Sequence, residues 1–210
     1  MPSIESKSFT RIYAAFVVIV ALFLVFFPVF WLLQIALKTR LEAQAYPPSL
    51  LFVPTLSNFI ALLVEESFMR FFFNSLMVSL ISVVMSMAIG VPGAYGFSRL
   101  RSRGKRHFLM FILITRMAPG MVFVLPYFMI FRSLGLIDTR LGLAVVYMTF
   151  NLALVTWSMW TFFGQVPTSL DEAAHIDGAS TWRAFLQVVL PLSRPGLLSA
   201  GIICFVMSWN

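Results

Sequence analysis

The amino-acid sequence predicts an all-α protein, a polytopic bundle of transmembrane helices. Of its 210 residues, 60% are hydrophobic and only 11% are charged, and the mean hydropathy is +0.92. A soluble domain of this size cannot bury so much apolar surface. The apolar residues also fall into runs long enough to cross a bilayer as helices. Together these observations exclude an ordinary soluble enzyme or binding domain.

Four complete apolar runs and one partial run form the predicted spans. The first, residues 12–37, is about 39 Å long as a helix, against a hydrocarbon core of about 30 Å. It ends near Lys38 and Arg40 instead of a small-residue cleavage site, so we expect a retained anchor. Further runs cover residues 71–97, 108–131 and 141–163. A fifth begins at Gly196 and continues to Asn210, which predicts a partial span.

The positive charges predict the orientation of these spans. With a cytoplasmic N-terminus, the cytoplasmic side carries nine Lys and Arg residues and the other side five, diluted by acidic residues. Because Lys and Arg hold loops on the cytoplasmic side, this bias favours the N-terminus inside. Most of it comes from residues 99–106, which we interpret as a topology anchor and not as a nucleic-acid patch, since spans flank it. The formal charge of +7 therefore implies no nucleic-acid partner.

This topology divides the chain into two parts. Residues 1–70 combine the anchor with a periplasmic loop, and the proline-rich stretch 39–70 suits an interfacial loop better than a span. Residues 71–210 form the core, which contains a cytoplasmic polar segment at 167–195. The single cysteine, Cys204, lies in an apolar run, so we expect a small packing residue and no metal site.

The polar segment 167–195 begins with helix-start chemistry. Ser169 and Glu172 match a capping box, which predicts a helix from about Leu170 until Gly178 breaks it. We expect one face of this helix to carry Leu170, Ala173, Ala174 and Asp177.

A second helix is predicted after Gly178. Ser180 can cap it, and Pro191 and Pro195 then redirect the chain. It is amphipathic enough to lie at the membrane surface through its apolar residues, Trp182, Phe185, Leu186 and Val189. We therefore expect a short helix, a glycine turn and a second helix projecting into the cytoplasm.

The same segment resembles the EAA loop of ABC importer permeases. Five elements hold their spacing: Glu172-Ala173-Ala174, three residues, Gly178, nine residues, Val188, one residue, and Leu190-Pro191. The usual Ile is replaced by Val188. The resemblance extends over residues 71–210 and is closest to the maltose-type, MalG-like carbohydrate permeases. Its further stretches are Arg116-Met117-Ala118-Pro119, Leu125-Pro126-Tyr127, Gly135-Leu136-Ile137-Asp138-Thr139, Val166-Pro167, Ile176-Asp177-Gly178-Ala179-Ser180 and Ser208-Trp209-Asn210.

The resemblance implies a type I ABC importer permease, a transport subunit and not an enzyme, in the bacterial inner membrane. Its implied partners are an ABC ATPase dimer, a second permease, an extracytoplasmic solute-binding protein and a sugar substrate in a lipid bilayer. The EAA residues of this chain would contact the ATPase. Family members have six spans, so we expect the rest of the fifth span and the sixth to be missing. The sequence has no GxxxxGK followed by Ser or Thr, and no cofactor is expected.

Several polar residues leave alternatives open. Glu172 either completes only its own capping box or also faces the ATPase. Arg116 lies about nine residues into a span, so it either satisfies carbonyls freed by Pro119, Gly120 and Pro126 or lines the translocation pathway. The intramembrane Asn74 and Asn151 also have two interpretations: each forms a hydrogen bond between helices or contacts a hydroxylated substrate.

Two other functions fit parts of the sequence. One is an ABC permease for another solute, such as an amino acid, peptide or polyol phosphate, because the EAA pattern does not encode the substrate. The other is a secondary transporter or channel that uses Arg116 and needs no ATPase. The two histidines, His107 and His175, lie far apart without partnered acids, so we assign them no metal or catalytic role.

Overall fold

A computed structural model describes residues 4–64, 67–99 and 104–209, and within these ranges every regular element is helical. In chain order the elements are α1 (Ile4–Ala36), α2 (Arg40–Ala43), α3 (Ser57–Val64), α4 (Phe68–Arg99), α5 (Lys105–Met117), α6 (Met121–Ser133), α7 (Arg140–Gln165), α8 (Thr168–Ile176), α9 (Thr181–Ala184), a π-helical segment (Phe185–Val189), α10 (Leu190–Leu192) and α11 (Arg194–Trp209). The chain divides into two compact units, Met1–Phe71 and Phe72–Asn210.

The first unit is an apolar helix followed by an ordered loop. The stretch Tyr13–Ala36 of α1 is long and apolar enough to cross a membrane, which confirms the first predicted run. The end of α1 is capped from the loop, because the Asn58 amide donates to the carbonyls of Ala36 (3.0 Å) and Lys38 (2.6 Å). The Lys38 ammonium in turn donates to the Ser49 carbonyl at 2.7 Å. Hydrogen bonds from its own polar side chains therefore hold the predicted interfacial loop in place.

The second unit is built on close contacts between α4, α7 and α11. Small residues recur every fourth position on the buried sides of α4 and α11, where they form two stripes: Ser82, Ser86, Gly90 and Ala94, and Gly196, Ala200, Cys204 and Ser208. A Cβ at Gly196 would lie 2.5 Å from the Phe162 ring of α7, so only glycine permits this approach. Small side chains let helix backbones pack closely without a hydrophobic driving force in lipid. The expectation that Cys204 is a packing residue is confirmed, since it is fully buried.

The third predicted span is not one continuous helix. Residues His107–Met117 and Met121–Ser133 meet at 94°. The break lies at Pro119, since the preceding residue, Ala118, is extended with ψ 135° and proline disfavours a helical residue before it. Pro126, which we also expected to break the chain, lies inside α6.

The described residues contain three helices that are long and apolar enough to span, or up to five if each bent pair is one span. The second and fourth predicted runs are confirmed as the continuous helices α4 and α7. The second bent pair joins Thr181–Leu192 to Arg194–Trp209 at 78°, so the chain does turn between Pro191 and Pro195, as predicted. Of the basic cluster at 99–106, Arg101 and Arg103 lie outside the described residues.

Candidate coupling site

Helix α8 begins two residues earlier than the sequence predicts. Its N-cap is Pro167, which makes no side-chain capping bond, so the predicted capping box of Ser169 and Glu172 is wrong. Pro167 has φ −57° and ψ 134°, and because its ring already fixes a φ compatible with a helix start, the turn forms at Thr168. Ser169 is then a residue of the first turn. The Glu172 carboxylate is therefore not used in a cap.

The buried residues of α8 overlap only in part with the face that the sequence predicts. Asp171 and Ala174 are 6% and 9% exposed, whereas Glu172 and Ala173 are exposed and Leu170 is 38% exposed. Of the four residues predicted to share one face, Leu170, Ala173 and Asp177 are exposed. Only Ala174 belongs to both faces.

The exposed side of α8 includes a large apolar residue. Ile176, one turn after Glu172 and Ala173, is 87% exposed. We call the surface of Glu172, Ala173 and Ile176 the docking face. It combines an exposed carboxylate, a small residue that permits close approach and an uncovered aliphatic side chain.

Gly178 ends α8 in a left-handed turn. Its φ is +81°, and the Ala179 amide donates to the Ala174 carbonyl at 2.9 Å, which is the bond of a Schellman motif. The prediction that Gly178 terminates the helix is confirmed. No atom outside the neighbouring residues lies within 4 Å of a Cβ built at this position, so the glycine is required by backbone conformation and not by crowding.

The segment after Gly178 is helical but irregular. Ser180 caps it as predicted, since its hydroxyl accepts from the Arg183 amide at 3.3 Å. The π-helical segment follows, and the Leu190 amide donates to the Phe185 carbonyl five residues before it. Of the four apolar residues expected at a membrane surface, Phe185 and Val189 are buried in the protein core instead, whereas Trp182 is 57% exposed.

The last motif residues lie at the entry to α11. Val188, Leu190 and Pro191 are half-buried, and Leu190 packs against the core that contains Phe185 and Val189. Pro191 lies in the first turn of α10, directly before the 78° bend. These three residues therefore connect the polar segment to the membrane helix that follows.

Behind α8, Asp171 is bound by two residues from the end of α4. The Tyr95 hydroxyl donates to Asp171 Oδ1 at 2.6 Å, and Arg99 Nη2 lies 2.8 Å from Asp171 Oδ2. The second contact is an ion pair at short distance without the alignment of a hydrogen bond. Arg99 also donates to the carbonyls of Phe163 (3.3 Å) and Val166 (3.2 Å) at the end of α7.

Sequence reasoning missed this cluster of Tyr95, Arg99 and Asp171. Two signals were present. Tyr95 and Arg99 are four residues apart, so they share one face at the end of a predicted span, and Asp171 directly precedes the Glu172-Ala173-Ala174 motif. What the sequence did not contain was the pairing itself, which joins positions 76 residues apart.

The three candidate pathway residues occupy two different places. Arg116 and Asn151 both line a cavity of about 290 Å³ between α5, α7 and α11, and Arg116 donates to the Phe150 carbonyl at 3.5 Å. Asn74 lines another cavity, of about 590 Å³, beside Tyr127. Arg116 therefore bonds a carbonyl of α7 and not one freed near Pro119.

Asn151 also connects three helices. It is buried, and its amide donates to the Ser82 hydroxyl of α4 at 3.2 Å and to the Ser208 hydroxyl of α11 at 2.8 Å. Interhelical bonding is therefore its observed contact. Its position on the wall of the Arg116 cavity leaves a role in the pathway as a prediction.

Comparison with known proteins identifies the family. A model described as "Binding-protein-dependent transport system inner membrane component" matches residues 82–210. The chain is 34% identical over 186 residues to the trehalose transport system permease protein SugB of Mycobacterium tuberculosis, covering 87% of this chain and 66% of that protein. It is also 34% identical over 185 residues to the sulfoquinovosyl glycerol transport system permease protein SmoH of Agrobacterium fabrum, covering 88% and 65%.

A solved structure has the same fold. It is a chain in the crystal structure of a bacterial ABC transporter involved in the import of the acidic polysaccharide alginate, with a TM-score of 0.79 and 27% identity. The match covers 100% of this chain and 74% of that one. The present chain spans about two-thirds of the length of the curated relatives it matches. It is a multi-pass membrane protein and belongs to the family of binding-protein-dependent transport system inner membrane components.

Proposed function

We propose that this chain is a permease subunit of an ATP-driven ABC importer and that its substrate is a carbohydrate. It works in the bacterial inner membrane with its N-terminus in the cytoplasm. Its partners are a second permease subunit, a dimer of ATPase subunits and an extracytoplasmic solute-binding protein. ATP hydrolysis belongs to the ATPase subunits, and this chain performs no covalent chemistry.

The docking face of α8 is the observation that carries the proposal. Glu172, Ala173 and Ile176 are exposed on a helix whose opposite side is held by Asp171 and Ala174. A helix that is anchored on one side and presents an uncovered aliphatic group beside a carboxylate on the other fits a groove on a partner. Since Glu172 makes no cap, its charge is available to that partner. The groove of the ATPase subunit is the site we assign to it.

Coupling follows from the continuous path of the segment from α8 to α11. In the proposed cycle, ATP binding closes the ATPase dimer and α8 moves with the subunit that holds it. The Gly178 turn and the segment through Pro191 then transmit this movement to α11, and the cavity opens outward to receive sugar from the binding protein. Arg116, Asn151 and Asn74 are the proposed pathway residues, with Arg116 and Asn151 on one cavity wall.

A carbohydrate substrate is supported by the relatives. The names of two curated relatives specify trehalose and sulfoquinovosyl glycerol, and the structural neighbour imports alginate. All three are carbohydrates, although one is neutral and two carry acidic groups. The comparison therefore favours a sugar over an amino acid or peptide and does not fix its charge.

Replacement of Glu172 tests the docking face. In the assembled importer, Glu172→Ala is expected to weaken retention of the ATPase subunit about ten-fold, as for the loss of a hydrogen bond to a charged group. Insertion into the membrane stays normal because Glu172 is exposed and caps nothing. The measurement is co-purification of the ATPase subunit with the permease from detergent. Glu42→Ala, which removes an exposed carboxylate that caps α2 in the other unit, is the control, and equal retention in both variants would rule out the assigned contact.

A further inference from the structure

A buried carboxylate on α8 faces away from the docking face and towards the membrane helices. Asp171 is 6% exposed. Its carboxylate accepts a hydrogen bond from the Tyr95 hydroxyl at 2.6 Å and forms an ion pair with the Arg99 guanidinium at 2.8 Å. Both partners lie in the last two turns of α4. The contact therefore joins the short cytoplasmic helix directly to the end of a membrane span.

Arg99 extends this contact to a second span. Its guanidinium donates to the Phe163 carbonyl in the last turn of α7 and to the Val166 carbonyl at the C-cap. Carbonyls at a helix end have no partner within the helix and attract a cation. One planar side chain of α4 thus contacts two further helices, α7 through hydrogen bonds and α8 through an ion pair.

The chemistry of the cluster is unusual for a purely stabilising contact. Removing a carboxylate and a guanidinium from water costs free energy that their attraction repays only with good geometry, and apolar residues of similar volume stabilise as well or better. Apolar packing is already present, since the Tyr95 ring lies 4.7 Å from the Phe185 ring and 5.9 Å from the Phe163 ring. What the polar cluster adds is a direct contact with α8, because Asp171 lies on α8, whereas the tilted and edge-on ring contacts of Tyr95 are made with Phe185 and Phe163, outside α8.

We propose that Tyr95, Arg99 and Asp171 are positioning residues for transport, and that they form the joint through which movement of α8 reaches α4 and α7. This inference rests on the proposed coupling function and names a second route for it. Movement reaches α11 through the chain itself, by way of Pro191. It reaches α4 and α7 through the joint, without passing along the intervening sequence. Both routes start from one helix.

Two conservative substitutions separate the joint from the packing around it. Asp171→Asn keeps the volume and the acceptor for Tyr95 but removes the charge that pairs with Arg99. Tyr95→Phe removes one hydroxyl and keeps the ring contacts with Phe163 and Phe185. Neither substitution alters the docking face. Matched controls from the other unit are Glu42→Gln and Tyr46→Phe, the latter at a residue that is 96% exposed.

The experiment measures transport and hydrolysis together. The assembled importer is placed in proteoliposomes with ATP inside, and with the binding protein and a panel of radiolabelled neutral and acidic mono- and disaccharides outside. We expect Asp171→Asn to lower the sugar transported per ATP hydrolysed about ten-fold and Tyr95→Phe to lower it several-fold. ATPase retention and the ATP hydrolysis rate stay near those of the unsubstituted complex. A merely structural role would reduce uptake and hydrolysis in proportion to the amount of assembled complex.

The outcomes are distinguishable. An unchanged ratio of transport to hydrolysis in both variants overturns the joint and leaves the proposed function standing. A proportional loss of both activities also overturns it. If Asp171→Asn does not assemble, Tyr95→Phe decides by the same ratio, since it removes only one hydroxyl group from the cluster. If the unsubstituted complex takes up no sugar with ATP, the proposed function fails and the joint fails with it.

Discussion

Replacement of Gly178 gives a quantitative test of the turn that ends α8. The φ of +81° lies in the region where a residue with a Cβ is strained by about 1–2 kcal/mol, and where Asn and Asp are the best tolerated exceptions. No atom lies within 4 Å of the added Cβ, so no steric cost is added. Gly178→Ala therefore disfavours the native turn by a factor of about 5 to 30, and Gly178→Asn disfavours it less.

The predicted order of tolerance at position 178 is informative because it is the reverse of the order of side-chain size. If backbone conformation decides, the larger Asn is tolerated better than Ala. Gly178→Asp has a backbone cost like that of Asn and adds a negative charge at the C-terminal end of α8, unfavourable by about 0.3–1 kcal/mol. We therefore expect Gly178→Asp to lower ATP-dependent uptake more than Gly178→Asn does, without loss of membrane insertion.

The assay compares ATP-dependent sugar uptake and ATPase co-purification at equal amounts of permease in the membrane. Gly164→Ala is the matched control, because Gly164 lies inside α7, also has no atom within 4 Å of its Cβ and has no positive φ. Uptake that is lower for Gly178→Asn than for Gly178→Ala would refute the reasoning, since volume at a contact surface would then matter more than the turn. Uptake at the unsubstituted rate in Gly178→Asp would refute the coupling role of the segment.

Three further substitutions test the packing and the cavity. Asn151→Ala removes two interhelical hydrogen bonds worth about 0.6 kcal/mol each, so we expect the free energy of unfolding, measured by thermal unfolding in detergent, to fall by about 1 kcal/mol. Unchanged stability together with lost uptake would assign Asn151 to the pathway instead. Gly196→Leu places a side chain where the Phe162 ring lies, and it is expected to separate α11 from α7 and increase cleavage by added protease, whereas wild-type resistance would contradict the close contact. Arg116→Ala is expected to reduce sugar uptake more than it reduces binding-protein-stimulated ATP hydrolysis, and equal uptake would leave Arg116 a structural residue.

The sequence predicted correctly those features of the structure that depend only on residues close together in the chain. The continuous helices α4 and α7 follow from apolar runs of sufficient length. The Gly178 turn and the Ser180 cap follow from residues whose preferences act within a few positions. The break at Pro119 was anticipated for the same reason. Its angle of 94° was not, because it depends on what α5 and α6 pack against.

The errors arose where neighbouring structure competes with a local motif. Ser169 and Glu172 have the right spacing for a capping box, but Pro167 starts the helix first. The pairing of Asp171 was not predicted, because its hydrogen-bond partner Tyr95 lies 76 residues earlier in the chain.

The π-helical segment lets the region between Gly178 and Pro191 accept a change in length of one residue. Residues Phe185–Val189 contain the wide turn closed by the bond from the Leu190 amide to the Phe185 carbonyl. A π turn holds one residue more than an α turn, so deleting one residue there would restore ordinary helix and leave the small-residue stripe of α11 facing α7. Deleting one residue from the regular helix α7 would instead rotate everything that follows by about 100°. A gap of one residue within 185–189, opened when distant relatives are aligned, therefore keeps the core-facing residues in register.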